Sequence, residues 1–174
     1  MKNVTPAEFC EKFNACPEGR EWAMQYPTMI EVWEAVTANA EHYEWSLWLM
    51  TREGVFSDRE LRLFACWCVR NTPTHDGRTV WDLLTDTRSR RAVEVAEAYA
   101  RGEATHEELA AAWDAAWDEA WDTAIDAARA AAGDPAGDAA WVAAWDAAKA
   151  AAWDSAKSFQ LAHIREMPNP FDEE

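Results

Sequence analysis

Trp113-Asp-Ala-Ala-Trp117-Asp-Glu-Ala-Trp121-Asp-Thr-Ala-Ile125-Asp-Ala-Ala-Arg129 decides the fold, with its continuation through Gly133-Asp134-Pro135 to Trp141-Val-Ala-Ala-Trp145-Asp-Ala-Ala-Lys149. One register of this repeat takes every fourth residue: Trp113, Trp117, Trp121, Ile125, Arg129, Gly133, Gly137, Trp141, Trp145, Lys149, Trp153 and Lys157. The next register holds Asp at 114, 118, 122, 126, 134, 138, 146 and 154, and the other two are mostly Ala. Four residues advance an α-helix by about 400°, so the Trp stripe drifts by roughly 40° per repeat. Trp113, Trp117 and Trp121 therefore share a usable apolar face. Forty residues of such drift would carry the stripe right round one straight rod. Gly133-Asp134-Pro135 interrupts it with a candidate left-handed C′ glycine, an N-cap and a first-turn proline. A continuous helix would lose about 3 kcal/mol at Pro135. The repeat thus predicts an antiparallel helical hairpin with arms over 105–132 and 135–165. Its indoles are expected to turn inward and its carboxylates toward solvent.

The remaining helix punctuation agrees with an all-α, multi-helix bundle. Thr5-Pro6-Ala7-Glu8, Thr28 with Glu31, Ser57 with Glu60 and Thr105 with Glu108 read as capping boxes. Gly54, Gly102 and Gly133 follow helical runs, and no alternating strand pattern survives inspection. Helices are expected near 5–15, 17–26, 28–52, 57–71, 79–85, 87–101, 105–132 and 135–165. Charge marks the organisation: residues 57–102 carry net +1 with eight arginines, inside a chain of net −16. The expected segments are an N-terminal helical extension (1–56), an Arg-bearing core (57–104), the Ala/Trp/Asp hairpin (105–165) and an acidic tail (166–174), all in one compact domain.

Net charge of −16 over 174 residues argues against direct nucleic-acid binding, which depends on Lys and Arg neutralising phosphates. No apolar run approaches the roughly 20 residues of a membrane span. Residues 1–14 are polar, without the apolar core of a signal peptide, so the expected location is cytoplasmic. Four cysteines form neither a disulfide framework nor a zinc pattern, and Cys66 and Cys68 read as buried thiols. His42, His75, His106 and His163 show no metal-ligand pairing, and no nucleophile elbow or phosphate-binding glycine loop occurs. The expectation is a protein that is not an enzyme and takes no cofactor or metal.

Candidate binding residues fall in two places. Arg62 and Arg70 share a helix with Trp67, Trp81 follows, and Arg88, Arg90 and Arg91 open the next helix, where free N–H groups suit an anion. The alternative is internal pairing, with Asp86 capping and Asp82, Glu94 and Glu97 neutralising the arginines. The second place is the stripe Trp113, Trp117 and Trp121, which reads as core, as a partner-binding surface, or as a platform for a base.

Ser57-Asp-Arg-Glu-Leu-Arg62-Leu-Phe-Ala-Cys-Trp67-Cys-Val-Arg70 and Leu83-Leu-Thr-Asp-Thr-Arg88-Ser-Arg-Arg91-Ala-Val-Glu-Val-Ala-Glu97, followed by the Ala/Trp repeat, resemble a helical immunity-protein family of bacteria and tailed phages. The resemblance covers about residues 57–160. Asp82 stands where members commonly carry a His before the Leu-Leu pair. The resemblance implies neutralisation by binding, of a protein toxin or a host defence component. Two other functions are open: a sponge that sequesters a small anionic nucleotide signal on the arginines, and an acidic DNA mimic whose aspartates rise about 6 Å per step. Exposed Trp stripes would also favour a homo-oligomer.

Overall fold

The computed structural model describes residues 4–117, 123–133, 135–150 and 154–172. Trp121, Asp118, Asp122, Asp134 and Trp153 lie outside the described residues, and so does the side chain of Trp117. Among the described residues the protein is all-α. Its helices are α1 (Pro6–Lys12), α2 (Pro17–Ala23), α3 (Met29–Ala38), α4 (Tyr43–Met50), α5 (Asp58–Asn71), α6 (Val80–Leu83), α7 (Thr87–Arg101), α8 (His106–Trp117), α9 (Thr123–Ala131), α10 (Ala136–Ala150) and α11 (Asp154–Glu166). None is long and apolar enough to cross a membrane.

Side-chain caps set many of these starts. Thr5 with Glu8 and Ser57 with Glu60 close reciprocal capping boxes, each satisfying two N-terminal donors. Asp86 caps α7 by accepting from the backbone N–H groups of Arg88 and Ser89. Thr79 with Asp82 forms a further box, so Asp82 starts α6. The stretch expected as one helix over 28–52 is divided. Asn39 leaves helical geometry at φ −120° and accepts from Glu41 N–H, and a 3-10 turn (Ala40–His42) precedes α4. Asparagine offers the backbone that local alternative to the helical bond.

The chain forms two units. The first comprises Met1–Phe56 with Leu161–Glu174. Its core includes Phe9, Trp33, Tyr43, Leu47, Met50 and Ile164. Phe171 is buried there, edge-on to Phe9 with ring centroids 5.8 Å apart, and Asn169 donates to the Ile30 carbonyl at 3.3 Å.

The second unit, Ser57–Gln160, packs α5 and α7 with α8, α9 and α10. Two long arms are not what the C-terminal repeat builds. Arg129 on α9 donates to the Ala116 carbonyl on α8 at 3.1 Å. Thirteen residues along one straight helix would separate those positions by about 20 Å, so α8 and α9 are not collinear. Gln160 on α11 likewise donates to the Ala144 carbonyl on α10 at 3.2 Å. Each expected arm thus contains two helices that are not collinear.

The packing also moves the interior from the Trp register to the alanines, while Asp114 and Asp138 stay exposed as expected. Ala127, Ala128, Ala131, Ala140, Ala143, Ala144, Ala147 and Ala148 are wholly buried, whereas Trp113, Trp141 and Trp145 are partly exposed. Alanine faces let helix axes come close, toward the short end of the usual 8–10 Å separation. The bulkier indoles of Trp113, Trp141 and Trp145 sit at the margin of that seam, partly exposed.

Glycine geometry separates two cases. Gly54 and Gly102 are left-handed, at φ 79° and 77°, and Gly102 closes α7. Gly133 does not take the expected left-handed turn. It is small because a Cβ there would lie 3.1 Å from the Ala130 carbonyl oxygen. Gly102→Ala meets no steric contact but must hold positive φ, so it should cost about 1 kcal/mol in urea unfolding. A loss under about 0.3 kcal/mol would refute that strain.

Candidate functional site

The arginines of 57–102 divide by where the helices carry them. Arg62 is 2% exposed. Its guanidinium donates to the carbonyls of Gly133 at 2.7 Å and Ala131 at 3.4 Å, and lies 5.3 Å from the Tyr99 ring centroid. It therefore closes the C-terminal end of α9, where unsatisfied carbonyls attract a cation. This buried position removes Arg62 from the candidate ligand contacts. Arg129, also buried at 7% exposed, does the same for α8 through Ala116 while paired with Asp126 at 2.8 Å.

Arg70 and Arg90 are engaged around Trp81. Arg70 makes a two-pronged ion pair with Glu97, one arm at 2.8 Å, and its guanidinium carbon lies 4.0 Å from the Trp81 ring centroid. Arg90 lies 5.3 Å from the same centroid and donates to the Leu84 carbonyl at 2.7 Å. The hydrogen bond to Glu97, more than charge alone, raises the Arg70 pKa against a smaller opposing effect of burial. Trp67 stacks on Phe159 at 5.2 Å. Neither indole presents the open platform expected for a base.

Arg88 and Arg91 remain at the surface, 45% and 67% exposed, near Asp86 (3.3 Å) and Glu94 (3.7 Å). Together with Thr87, Arg90, Glu94, Ala112 and Ala115 they line an open groove of about 460 Å³ between the start of α7 and α8. Alanine forms its α8 wall and guanidinium groups its rim. Burial works to raise the Asp86 pKa, but backbone hydrogen bonds from Arg88 and Ser89 outweigh it, and the net effect is a lowered value. An incoming anion must therefore compete with an ionised cap already on those amides.

The aspartate ladder does not run along one line. Asp114 is exposed on α8, but Asp126 is drawn into its pair with Arg129 on the non-collinear α9. Between α8 and α9 the aspartates therefore do not follow one helical line. Cys66 and Cys68 are buried as expected, and burial, chiefly, pushes the Cys66 thiol up to about 12. Among the described residues no cluster of three or more His, Cys, Asp or Glu side chains is placed to hold a metal ion.

Two groupings escaped sequence reasoning. Trp22, Tyr26, His42 and Trp45 cluster in the first unit, with His42 stacked on Trp45 at 4.6 Å. On α10, Trp141 stacks on Trp145 at 6.3 Å, and the ammonium groups of Lys149 and Lys157 lie 5.9 and 5.6 Å from the Trp145 ring. A signal for the second existed, since both lysines occupy the Trp register. Beside it, burial raises the Asp146 carboxyl against the opposing pull of Lys149. A carboxyl with a raised folded-state pKa stabilises most when protonated, and that stability is lost as pH rises through its range. Asp146→Asn should therefore raise the melting temperature at neutral pH by roughly 1–3 °C. The two proteins should converge below about pH 4, and a gap that widens on acidification would contradict the assignment.

Compared with family models, curated proteins and solved structures, this chain has no match.

Proposed function

We propose that the chain works by binding rather than catalysis, as a neutralising partner of a basic protein toxin or defence component. One observation carries this reading: among the described residues exposed carboxylates outnumber exposed cations, because four of the twelve arginines are engaged inside their own unit. Arg62, Arg70, Arg90 and Arg129 contact carbonyls, Glu97, Asp126 and Trp81 of their own unit. Glu107, Asp114 and Asp138 lie exposed on α8 and α10. With net charge −16, such a surface steers a basic partner and speeds association. The setting of host–phage or toxin conflict comes from the resemblance over 57–160.

The test begins with immobilised protein and lysate from infected or toxin-producing cells. A partner identified by mass must re-form a 1:1 complex from purified components. Raising salt from about 50 to about 500 mM should weaken that complex at least tenfold, mainly through the association rate. Glu107→Lys with Asp114→Lys should weaken it further. A partner without an excess of Lys and Arg, or no complex from purified parts, sinks the reading.

The groove supports a second reading, sequestration of a small anionic nucleotide, because Arg88, Arg90 and Arg91 line one cavity. Calorimetry with cyclic and ADP-ribose-type nucleotides decides it. Binding should be lost in Arg88→Ala and Arg91→Ala, and no heat with any ligand removes this reading.

A further inference from the structure

The outer face of α10 carries a pattern that the proposed function does not use. Asp138, Val142, Trp145 and Lys149 follow spacings of four, three and four. That is the seam of a two-helix coiled coil, in which the stripe stays in line along the axis. The opposite face of the same helix is the buried alanine seam, so this one is the outward face. Val142 is 42% exposed, Lys149 is 43% exposed, Asp138 is exposed and Trp145 partly so. Exposed Val142 and partly exposed Trp145, whose ring Lys149 and Lys157 approach, lie in register between opposite charges and describe a self-complementary surface.

We propose that this face pairs with α10 of a second copy, antiparallel, about a two-fold axis between Ala143 and Ala144. Charge decides both direction and register. A parallel pair would set Asp138 against Asp138 and Lys149 against Lys149, which is repulsive. The antiparallel register centred between 143 and 144 sets Asp138 opposite Lys149 of the second copy at both ends. It sets Val142 opposite the second copy's Trp145 in both central layers. A two-fold interface requires this reciprocity, because each patch must complement itself.

The interface is small. Residues 138–149 span about 16 Å of helix axis, and a contact of about three helical turns a side buries well under the roughly 1,200 Å² of a stable complex. Two chains of net −16 also repel. The expected state is a reversible monomer–dimer equilibrium with Kd of order 10–100 μM at physiological salt. This inference does not rest on the neutralising role, with which it shares only Asp138.

Sedimentation velocity of the full chain with a thiol reductant, from about 5 to about 500 μM, tests it. Reductant removes disulfide dimers through the exposed Cys16. The native protein should shift from monomer to dimer across that range. Val142→Glu should weaken dimerisation at least tenfold, as should Asp138→Lys and Lys149→Asp taken singly. The double variant Asp138→Lys with Lys149→Asp should return to within about threefold of native, since it restores both cross-pairs in reverse. Val142→Glu and Asp138→Lys alter exposed side chains and should melt like the native protein, whereas variants carrying Lys149→Asp lose the Asp146 ion pair at 3.2 Å and should melt somewhat lower while still folding cooperatively, as circular dichroism checks. A monomer at the highest concentration overturns the proposal. Dimerisation indifferent to the single swaps, or not recovered in the folded double variant, does so equally.

Discussion

Arg62→Ala should destabilise the protein by about 2–4 kcal/mol, from the carbonyls it strands and the cavity it leaves. The substitution deletes the donor that satisfies the Gly133 and Ala131 carbonyls and the cation over Tyr99. Those carbonyls end α9 in a buried environment, and stranding a buried acceptor costs about 1–3 kcal/mol. The emptied volume adds a cavity term. Arg62→Met refills much of that volume without restoring a donor, so it should recover part of the loss. In urea the alanine variant's midpoint should fall by roughly 1–2 M for a slope near 2 kcal/mol per M. A change under about 1 kcal/mol would mean that the α9 terminus is held by something else.

Ala140→Leu carries the other large effect, about 3 kcal/mol or more, because overpacking a close helix contact forces backbone shifts. Ala140 is fully buried on a face of α10 made of alanine. Three added carbons have no room unless the α10 axis moves away from α9 or α5, the helices against which it packs most extensively. On the same helix, Val142→Ala removes two carbons from a 42% exposed side chain and should change stability by no more than about 0.5 kcal/mol. This contrast discriminates sharply. If indoles formed the core and alanines faced water, Ala140→Leu would be nearly neutral. Thermal and urea unfolding of the two variants therefore test which register is inside.

The local grammar of the chain was readable without coordinates. Thr5, Ser57, Thr105 and Asp86 start helices because their side-chain oxygens reach backbone N–H groups within the next turn, a contact that needs no distant partner. Gly102 ends α7 for an equally local reason. The Thr79–Asp82 box went unread because aspartate stands where glutamate or glutamine is usual. Asn39 broke a long helix without any glycine or proline to announce it. At the candidate site, the arginine cluster and its acidic neighbours were visible, including the possibility of internal pairing. Which arginine meets which partner was not: Arg62 meets Gly133 and Arg70 meets Glu97 from far along the chain.

By itself the sequence determined an all-α chain, the placement of its local caps and the acidic balance of its surface, since each follows from neighbours within a turn or from composition. Only the tertiary structure decided that alanine rather than tryptophan fills the seams of the C-terminal repeat. Both residues are apolar and both recur at helical spacing, so periodicity admits either face. The choice belongs to the distance between helix axes, a property that no single helix possesses.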